Sequence, residues 1–295
     1  MMRPPSLDAR QRRRAVRVAL ACMALCGCAR TATTSRSDEL PVRSPSNLPP
    51  TAAEVDLVVA ATTDVHGRLR AWDYYTGAPE PARGLTRAAT IVDSLRRANP
   101  RRVVLVDAGD LLQGNPLTFV AARVAGDSLH PHPVAAAMNA MDYDAAAVGN
   151  HEFNYGLPTL RRMIGEARFP MLAANAYTPN GHHAFDAWKM VERQGVKIAL
   201  VGGTTPGSNL WDRDNLAGHV VVRDIVPSVR DAVTAAREAG ADVVVVLLHS
   251  GLDEPSSYDT VSTGVASENV SARVAREVHD AARQRKHHDQ RRTHE

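Results

Sequence analysis

The 295-residue sequence predicts an α/β fold. Three observations carry this: short apolar runs alternate with helical patterns from Glu54 onward, the runs are β-branched or bounded by turn residues, and polar residues gather at their carboxyl ends. Six runs read as strands: Val55–Ala61, Val103–Val106, Ala145–Val148, Pro170–Ala174, Ile198–Val201 and Val243–Leu248. Their nearly unbroken apolar character is what burial on both faces requires. Leu85, Ala88, Ala89, Val92 and Leu95 follow helical spacing. Leu157, Leu160, Met163 and Ile164 do so after Gly156, and Ile225, Val229, Ala232, Val233 and Ala236 before Gly240. A last helix is expected over Asn269–Val278.

A hydrophobic content of 44% is enough for a sizeable core and excludes a disordered or fibrous chain. The net charge of +3 arises largely at the two ends, in Arg10–Arg17 and Arg283–Arg292, so no nucleic-acid polymer is implied as a partner. Cys22, Cys26 and Cys28 all lie near the start, which leaves the body without a disulfide, a thiolate ligand or a thiol nucleophile. Arg10–Arg17 and the apolar Val16–Leu25 have the pattern of an export signal. Leu25-Cys26-Gly27-Cys28 reads as a lipobox, with cleavage before Cys28, lipid on it, and membrane contact only through that anchor. An ordinary signal peptide or a short membrane anchor are the alternatives, although the run is short for a bilayer span. Residues 29–53, rich in Thr, Ser and Pro, read as a flexible tether before a domain at 54–278.

The chemistry sits where the strands end. The first runs into Thr63-Asp64-Val65-His66-Gly67, the second into Asp107-Ala108-Gly109-Asp110, the third into Gly149-Asn150-His151-Glu152, and the valine run into His249-Ser250-Gly251. Ligands of open α/β sheets bind outside the carboxyl ends of strands, so four segments are delivered to one place. Taken singly, an Asp-x-His turn is commonly a surface loop, Asp110 could cap a helix before Leu111, and a His ending an apolar strand is usually a core residue. Together, Asp, His, Asp, Asn-His and His form a donor set suited to two divalent cations sharing a carboxylate.

The same residues give the sequence its likeness to a family. Asp64-Val65-His66, Gly109-Asp110, Gly149-Asn150-His151-Glu152 and His249-Ser250-Gly251 resemble the motifs of the calcineurin-like metallophosphoesterases. DAGDLLQGNP (107–116) and GNHEFNYG (149–156) resemble signatures of the 5′-nucleotidase branch. Asp73-Tyr74-Tyr75, Asn154 and WDRDNLAG (211–218) are similar to the 2′,3′-cyclic-nucleotide 2′-phosphodiesterase/3′-nucleotidase group within it. The resemblance implies a four-layer α-β-β-α sandwich with two divalent ions of Mn, Zn, Fe or Co type and a nucleotide substrate. It implies Asp64 and His66 on one ion, Asp110 bridging, Asn150 and His249 on the other, and His151 as the catalytic histidine. UDP-sugars or 5′-nucleotides are alternative substrates under the same likeness, and an inactive metal-binding lipoprotein is the alternative outside enzymes.

Two features depart from the family pattern. The position three after the catalytic histidine, usually Asp in 5′-nucleotidases, is Asn154, and an amide holds a ring without contributing a charge. After His249 the family has a strand ending in Gly-His-x-His and then a C-terminal base-binding domain, whereas this sequence continues into the polar HDAARQRKHHDQRRTHE (279–295). The expectation is therefore an incomplete sandwich, with each ion one ligand short and an uncovered sheet edge.

Overall fold

The computed structural model describes residues 54–278, together with the backbone of residues 16–22. Cys28, the 29–53 tether and the 279–295 tail lie outside the described residues. In chain order the strands are β1 (Val16–Cys22), β2 (Val55–Thr62), β3 (Trp72–Asp73), β4 (Ala78–Pro79), β5 (Val103–Asp107), β6 (Ala145–Ala147), β7 (Met171–Leu172), β8 (Ala176–Tyr177), β9 (Trp188–Arg193), β10 (Val196–Thr204), β11 (Val221–Val222) and β12 (Val243–His249). The helices are α1 (Leu85–Ala98), α2 (Pro116–Phe119), α3 (Pro133–Ala140), α4 (Leu157–Glu166), α5 (Ser208–Trp211), α6 (Arg213–Leu216), α7 (Ile225–Glu238) and α8 (Thr260–Thr263). Residues 271–278 are also helical.

Two sheets face each other. One has the order β1-β2-β5-β6-β7, with every neighbour parallel; the other has the order β12-β10-β9, with β10 and β12 parallel. The period-2 alternation of strand side chains builds the layers. Leu57 and Val59, Val104 and Val106, and Ala145 and Ala147 point from the first sheet onto Ile198, Leu200 and Leu247 of the second. The intervening Ala60, Leu105 and Ala146 face outward against Leu85, Val92, Met138, Leu160 and Met163 of α1, α3 and α4. Val201 and the partly buried Val244 and Val246 pack on α7 and on Val274 and Val278 of the last helix. The result is an α/β fold, as the strand pattern implies, and the α-β-β-α sandwich that the family likeness implies. Each fully buried Leu, Ile or Val in it contributes roughly 1.5–3 kcal/mol.

Local chemistry sets the helix starts. Asp224 accepts from Val226 N at 3.0 Å ahead of α7, and Asn115 Oδ1 accepts from Leu117 N at 2.8 Å with Pro116 following. In α3 the cap is His132 Nδ1, which accepts from Val134 N at 3.3 Å. This ring is fully buried, and burial, reinforced by the Arg162 charge and opposed by Glu166, lowers its pKa to about 4.

Several expectations are corrected. The strand expected over Pro170–Ala174 pairs only at Met171–Leu172, because the chain then bends between the sheets: Ala173 N donates to Asp186 O and Ala174 N to Gly202 O. The strand expected to end at Val201 runs on through Gly202 and Gly203, which lie inside β10 opposite Leu247 and Leu248. A Cβ on Gly202 would stand 2.2 Å from Leu172 O, so this glycine lets the two sheets touch. Strand β9 is unforeseen; its exposed Lys189 and Glu192 mask the apolar signal of an edge strand. Val16–Cys22 forms strand β1, parallel to β2.

Two outcomes test this packing. Gly202→Ala should lower unfolding free energy by about 3 kcal/mol in urea titration, the upper range for overpacking; a loss of a few tenths would contradict the close contact. His132 binds its proton more weakly folded than unfolded, so its stabilisation is complete above about pH 6.5 and declines as pH falls toward 4. Between pH 7 and pH 5 the protein should lose about 2 kcal/mol more than His132→Asn, since each tenfold difference in proton affinity is worth roughly 1.4 kcal/mol.

Candidate metal centre

Four strand ends converge. Asp64 N donates to Gly109 O at 3.0 Å and His66 N to Asp110 O at 2.8 Å, which ties the loop after β2 to the loop after β5. The loop after β6 comes equally close: a Cβ on Gly149 would lie 2.2 Å from Asp110 Oδ1. His249 is the last residue of β12 and needs no loop to reach the site. Asp64, His66 and Asp110 have φ of 52°, 48° and 64°. Left-handed backbone at non-glycine residues costs on the order of 1–3 kcal/mol each and concentrates at functional sites, where surrounding bonds hold it.

At Asp110 those bonds centre on Glu152, which is completely buried. Its carboxylate accepts from Asp110 N (2.9 Å), Leu111 N (2.5 Å), Leu112 N (3.1 Å) and Gly149 N (2.6 Å). Burial, and then the charge of Asp110, push its pKa up, while the amide donors counter them. Asp107 is also fully buried, accepting from Thr62 Oγ1 at 2.5 Å and Gly109 N at 2.7 Å; burial raises it to about 8. Asn115 Nδ2 donates to His66 O at 2.5 Å.

Asp110 is the meeting point. Its Oδ1 accepts from His151 N at 2.9 Å. Its Oδ2 lies 3.2 Å from His249 Nε2, 3.8 Å from His151 Nε2 and 3.9 Å from His66 Nε2. The far sides of the rings are anchored: His66 Nδ1 to Gln113 O (2.5 Å), His249 Nδ1 to Ala108 O (3.0 Å) and His151 Nδ1 to Asn154 Oδ1 (2.6 Å). A carbonyl can only accept, so the first two anchors place the hydrogen on Nδ1 and, in a neutral ring, leave the Nε2 lone pair facing Asp110. Asn150 Oδ1 sits 3.1 Å from His249 Nε2. Donor atoms of His66, Asp110 and His151 all lie within 4.8 Å of one another, as do those of Asp64, Asp110 and His249, so Asp110 belongs to both groups. Asp64 Oδ1 is also 3.7 Å from His66 Nε2. Oxygen and imidazole donors converging on a shared, buried carboxylate suit two divalent cations.

The charges respond to one another. The neighbouring His66 ring holds Asp64 down at about 2, and Asp64 in turn raises His66. Burial opposes a charge on His249, but Asp110 against it, with Glu152 and Asp64 nearby, outweighs burial and raises it to about 9.

The site thus assembles Asp64, His66, Asp110, Asn150, His151, Asn154 and His249. Glu152 and Asp212, which lie inside motifs of the sequence but carry no predicted role, complete it: Asn154 Nδ2 donates to Asp212 Oδ1 at 2.8 Å. Glu152 had a signal in its place directly after Asn150-His151 at a strand end; nothing in the sequence tied Asp212 to Asn154, 58 positions away. The centre lies between two clefts. One of about 730 Å³ includes Asp64, His66 and His151 with Arg68, Arg83 and Arg87, and one of about 330 Å³ includes Asp64, Asn150 and His249 with Thr205 and Trp211.

Residues 57–276 match the model of the calcineurin-like phosphoesterases, and the chain belongs to that family. It is 38% identical over 227 residues to the trifunctional nucleotide phosphoesterase protein YfkN of Bacillus subtilis, covering 72% of this chain and 16% of that protein. It is 39% identical over 217 residues to the 2′,3′-cyclic-nucleotide 2′-phosphodiesterase/3′-nucleotidase of Haemophilus influenzae, covering 69% and 32%. The crystal structure of calcineurin-like phosphoesterase YfkN from B. subtilis superposes with a TM-score of 0.67 at 34% identity, over 74% of this chain and 67% of that one. The chain therefore spans from 16% to 32% of the length of these two curated relatives.

Because four backbone donors depend on one carboxylate, Glu152→Ala should cost about 3–5 kcal/mol in urea unfolding, from burying several unsatisfied amides together. A cost under about 1 kcal/mol, the scale of a single neutral hydrogen bond, would contradict the role given to Glu152.

Proposed function

We propose that this domain hydrolyses phosphate esters of nucleotides with two divalent cations, and that 2′,3′-cyclic nucleotides and 3′-nucleotides are its favoured substrates. The observation carrying this reading is the Asp110 carboxylate, buried and common to two groups of ligand atoms. Asp64 and His66 are assigned to one cation, Asp110 to both, and Asn150 and His249 to the other. The grouping of His66 with His151 about Asp110 allows a second sharing of the ligands. When bound, the cations lower the pKa of water and offset the charge of phosphate oxygens; Mn, Zn, Fe and Co all suit this donor set.

The protein's own groups supply the remaining steps. His151 points Nε2 toward the Asp110 carboxylate, where a protonated ring donates to the alkoxide oxygen as the P–O bond breaks. General acid catalysis of this kind is commonly worth about 10²–10⁴ in rate. The backbone bonds to Glu152 and the anchored imidazoles hold the ligand atoms before substrate arrives. Trp211, half exposed in the smaller cleft and edge-on to Tyr258 at 6.1 Å between ring centres, offers an aromatic face to a nucleobase. The preference for cyclic and 3′-esters rests on Asn154, the Trp211 segment and the names of the relatives. The pattern of residues 1–28 supports export with lipid on Cys28; cleavage there would remove β1 and free the edge of β2.

Titration calorimetry with Mn²⁺ and hydrolysis of bis-p-nitrophenyl phosphate test the site. Asp110→Asn should weaken Mn²⁺ binding at both positions. His151→Ala should keep the metal while the rate falls by about 10²–10⁴. Metal binding unchanged in Asp110→Asn would refute the shared-carboxylate assignment.

A further inference from the structure

Asn154 stands where a charged residue would be chemically useful, and the structure supplies that charge one residue further out. Its amide bridges two groups: Oδ1 is 2.6 Å from His151 Nδ1, and Nδ2 donates to Asp212 Oδ1 at 2.8 Å. A carboxylate accepts only, so the Asp212 contact has to come from the amide NH₂. That fixes the amide orientation and turns its carbonyl toward His151. A carbonyl also accepts only, so His151 Nδ1 has to carry hydrogen, and in the neutral ring Nε2, toward Asp110, carries the lone pair.

The ordinary role for Asp212 is to cap the helix α6 that it precedes. Its side chain makes no capping bond there; the backbone carbonyl takes Asn215 N and Leu216 N, both at 3.0 Å. The side chain turns instead to Asn154, with Asn215 Nδ2 a second, longer donor at 3.3 Å. Asp212 is 4% exposed, and among the described residues its Oδ2 has no hydrogen-bond partner. The Asp212 side chain is thus buried and committed to Asn154 and Asn215 rather than to the start of its own helix. The segment is held firmly: Asn209 clamps both backbone groups of Val222, at 2.6 and 3.0 Å, and the Trp211 ring lies on Gly207, where a Cβ would be 2.3 Å away.

We propose that Asp212 is a positioning residue for the reaction, acting through the Asn154 amide to select the tautomer and orientation of His151. The proposal rests on the reading of His151 as the proton donor. Its geometric part, the tautomer, is measurable without any turnover.

The test is a swap of amide and carboxylate. In Asp212→Asn the new side chain can turn either end toward Asn154, so the Asn154 amide loses its fixed direction. Long-range ¹H–¹⁵N correlation at alkaline pH, without added metal, should show His151 as the Nδ1–H tautomer in the wild type and as a mixture in Asp212→Asn. With Mn²⁺ and a 2′,3′-cyclic nucleotide, kcat should fall about tenfold to a hundredfold with KM little changed. This is less than the roughly 10⁴ known for replacing a carboxylate that touches its histidine directly. The double variant Asp212→Asn/Asn154→Asp places a carboxylate against His151 with an amide behind it, and should restore both tautomer and kcat. A single tautomer and unchanged kcat in Asp212→Asn, or a double variant no better than the single, overturns the proposal. Parallel loss of kcat, KM and thermal stability without rescue assigns Asp212 a structural role and equally overturns it. Should Asp212→Asn not fold, Asn154→Ala keeps Asp212 and should likewise abolish the single tautomer; its persistence counts against the relay. A wild type that hydrolyses no nucleotide ester refutes the substrate reading, while the tautomer still decides the relay.

Discussion

The buried Glu152 carboxylate, accepting four backbone N–H groups from two separate strand ends, is the interaction on which the centre hangs. A charge without water is expensive, and amide donors aimed at it are what offsets that cost. In making those bonds Glu152 holds the left-handed turn at Asp110 and draws Gly149 against it. Asp110 is then held by its own backbone. One of its oxygens takes the His151 amide and the other faces three imidazoles.

The scaffold supplies the second constraint. Parallel strands β2, β5 and β6 deliver their carboxyl ends side by side, and β12 brings His249 from the other sheet. The two sets meet only because the sheets approach closely, with Gly202 against Leu172 O and Gly109 beside Gly149 and the His249 ring. The Ala108 carbonyl then completes the junction by holding His249 Nδ1. Packing between the sheets and geometry of the centre are one problem, so a side chain added at the sheet contact bears on the candidate ligands as well as on the core.

What sequence could show, and what it could not, divides along sequence separation. Strands rich in valine and alanine were legible because burial on both faces leaves an unbroken apolar run, and Asp64, His66, Asp110, Asn150, His151 and His249 because they follow such runs directly. Strand β9 was not, since Lys189 and Glu192 interrupt it at an exposed edge. Gly202 and Gly203 lack the apolar signal of a strand; only the neighbouring sheet shows why they lie within one. The tasks of Glu152 and Asp212 were hidden for the same reason. Their partners are 40 to 42 positions away for the Asp110 loop and 58 for Asn154. Hydrophobic periodicity reports a residue's own element, not the partner that folding brings to it.

Asn154 illustrates how a substitution that looks like a loss in sequence is reinterpreted in three dimensions. An aspartate there would stand about 2.8 Å from the buried Asp212 carboxylate, where two like charges cannot both be held. The amide resolves the conflict by being two-faced: it donates to Asp212 and accepts from His151, transmitting direction without placing a second anion beside the first. The negative charge then lies one side chain behind the histidine. In a centre that already gathers Asp64, Asp110 and Glu152 around three imidazoles, the amide lies against His151 without a further anion beside the ring.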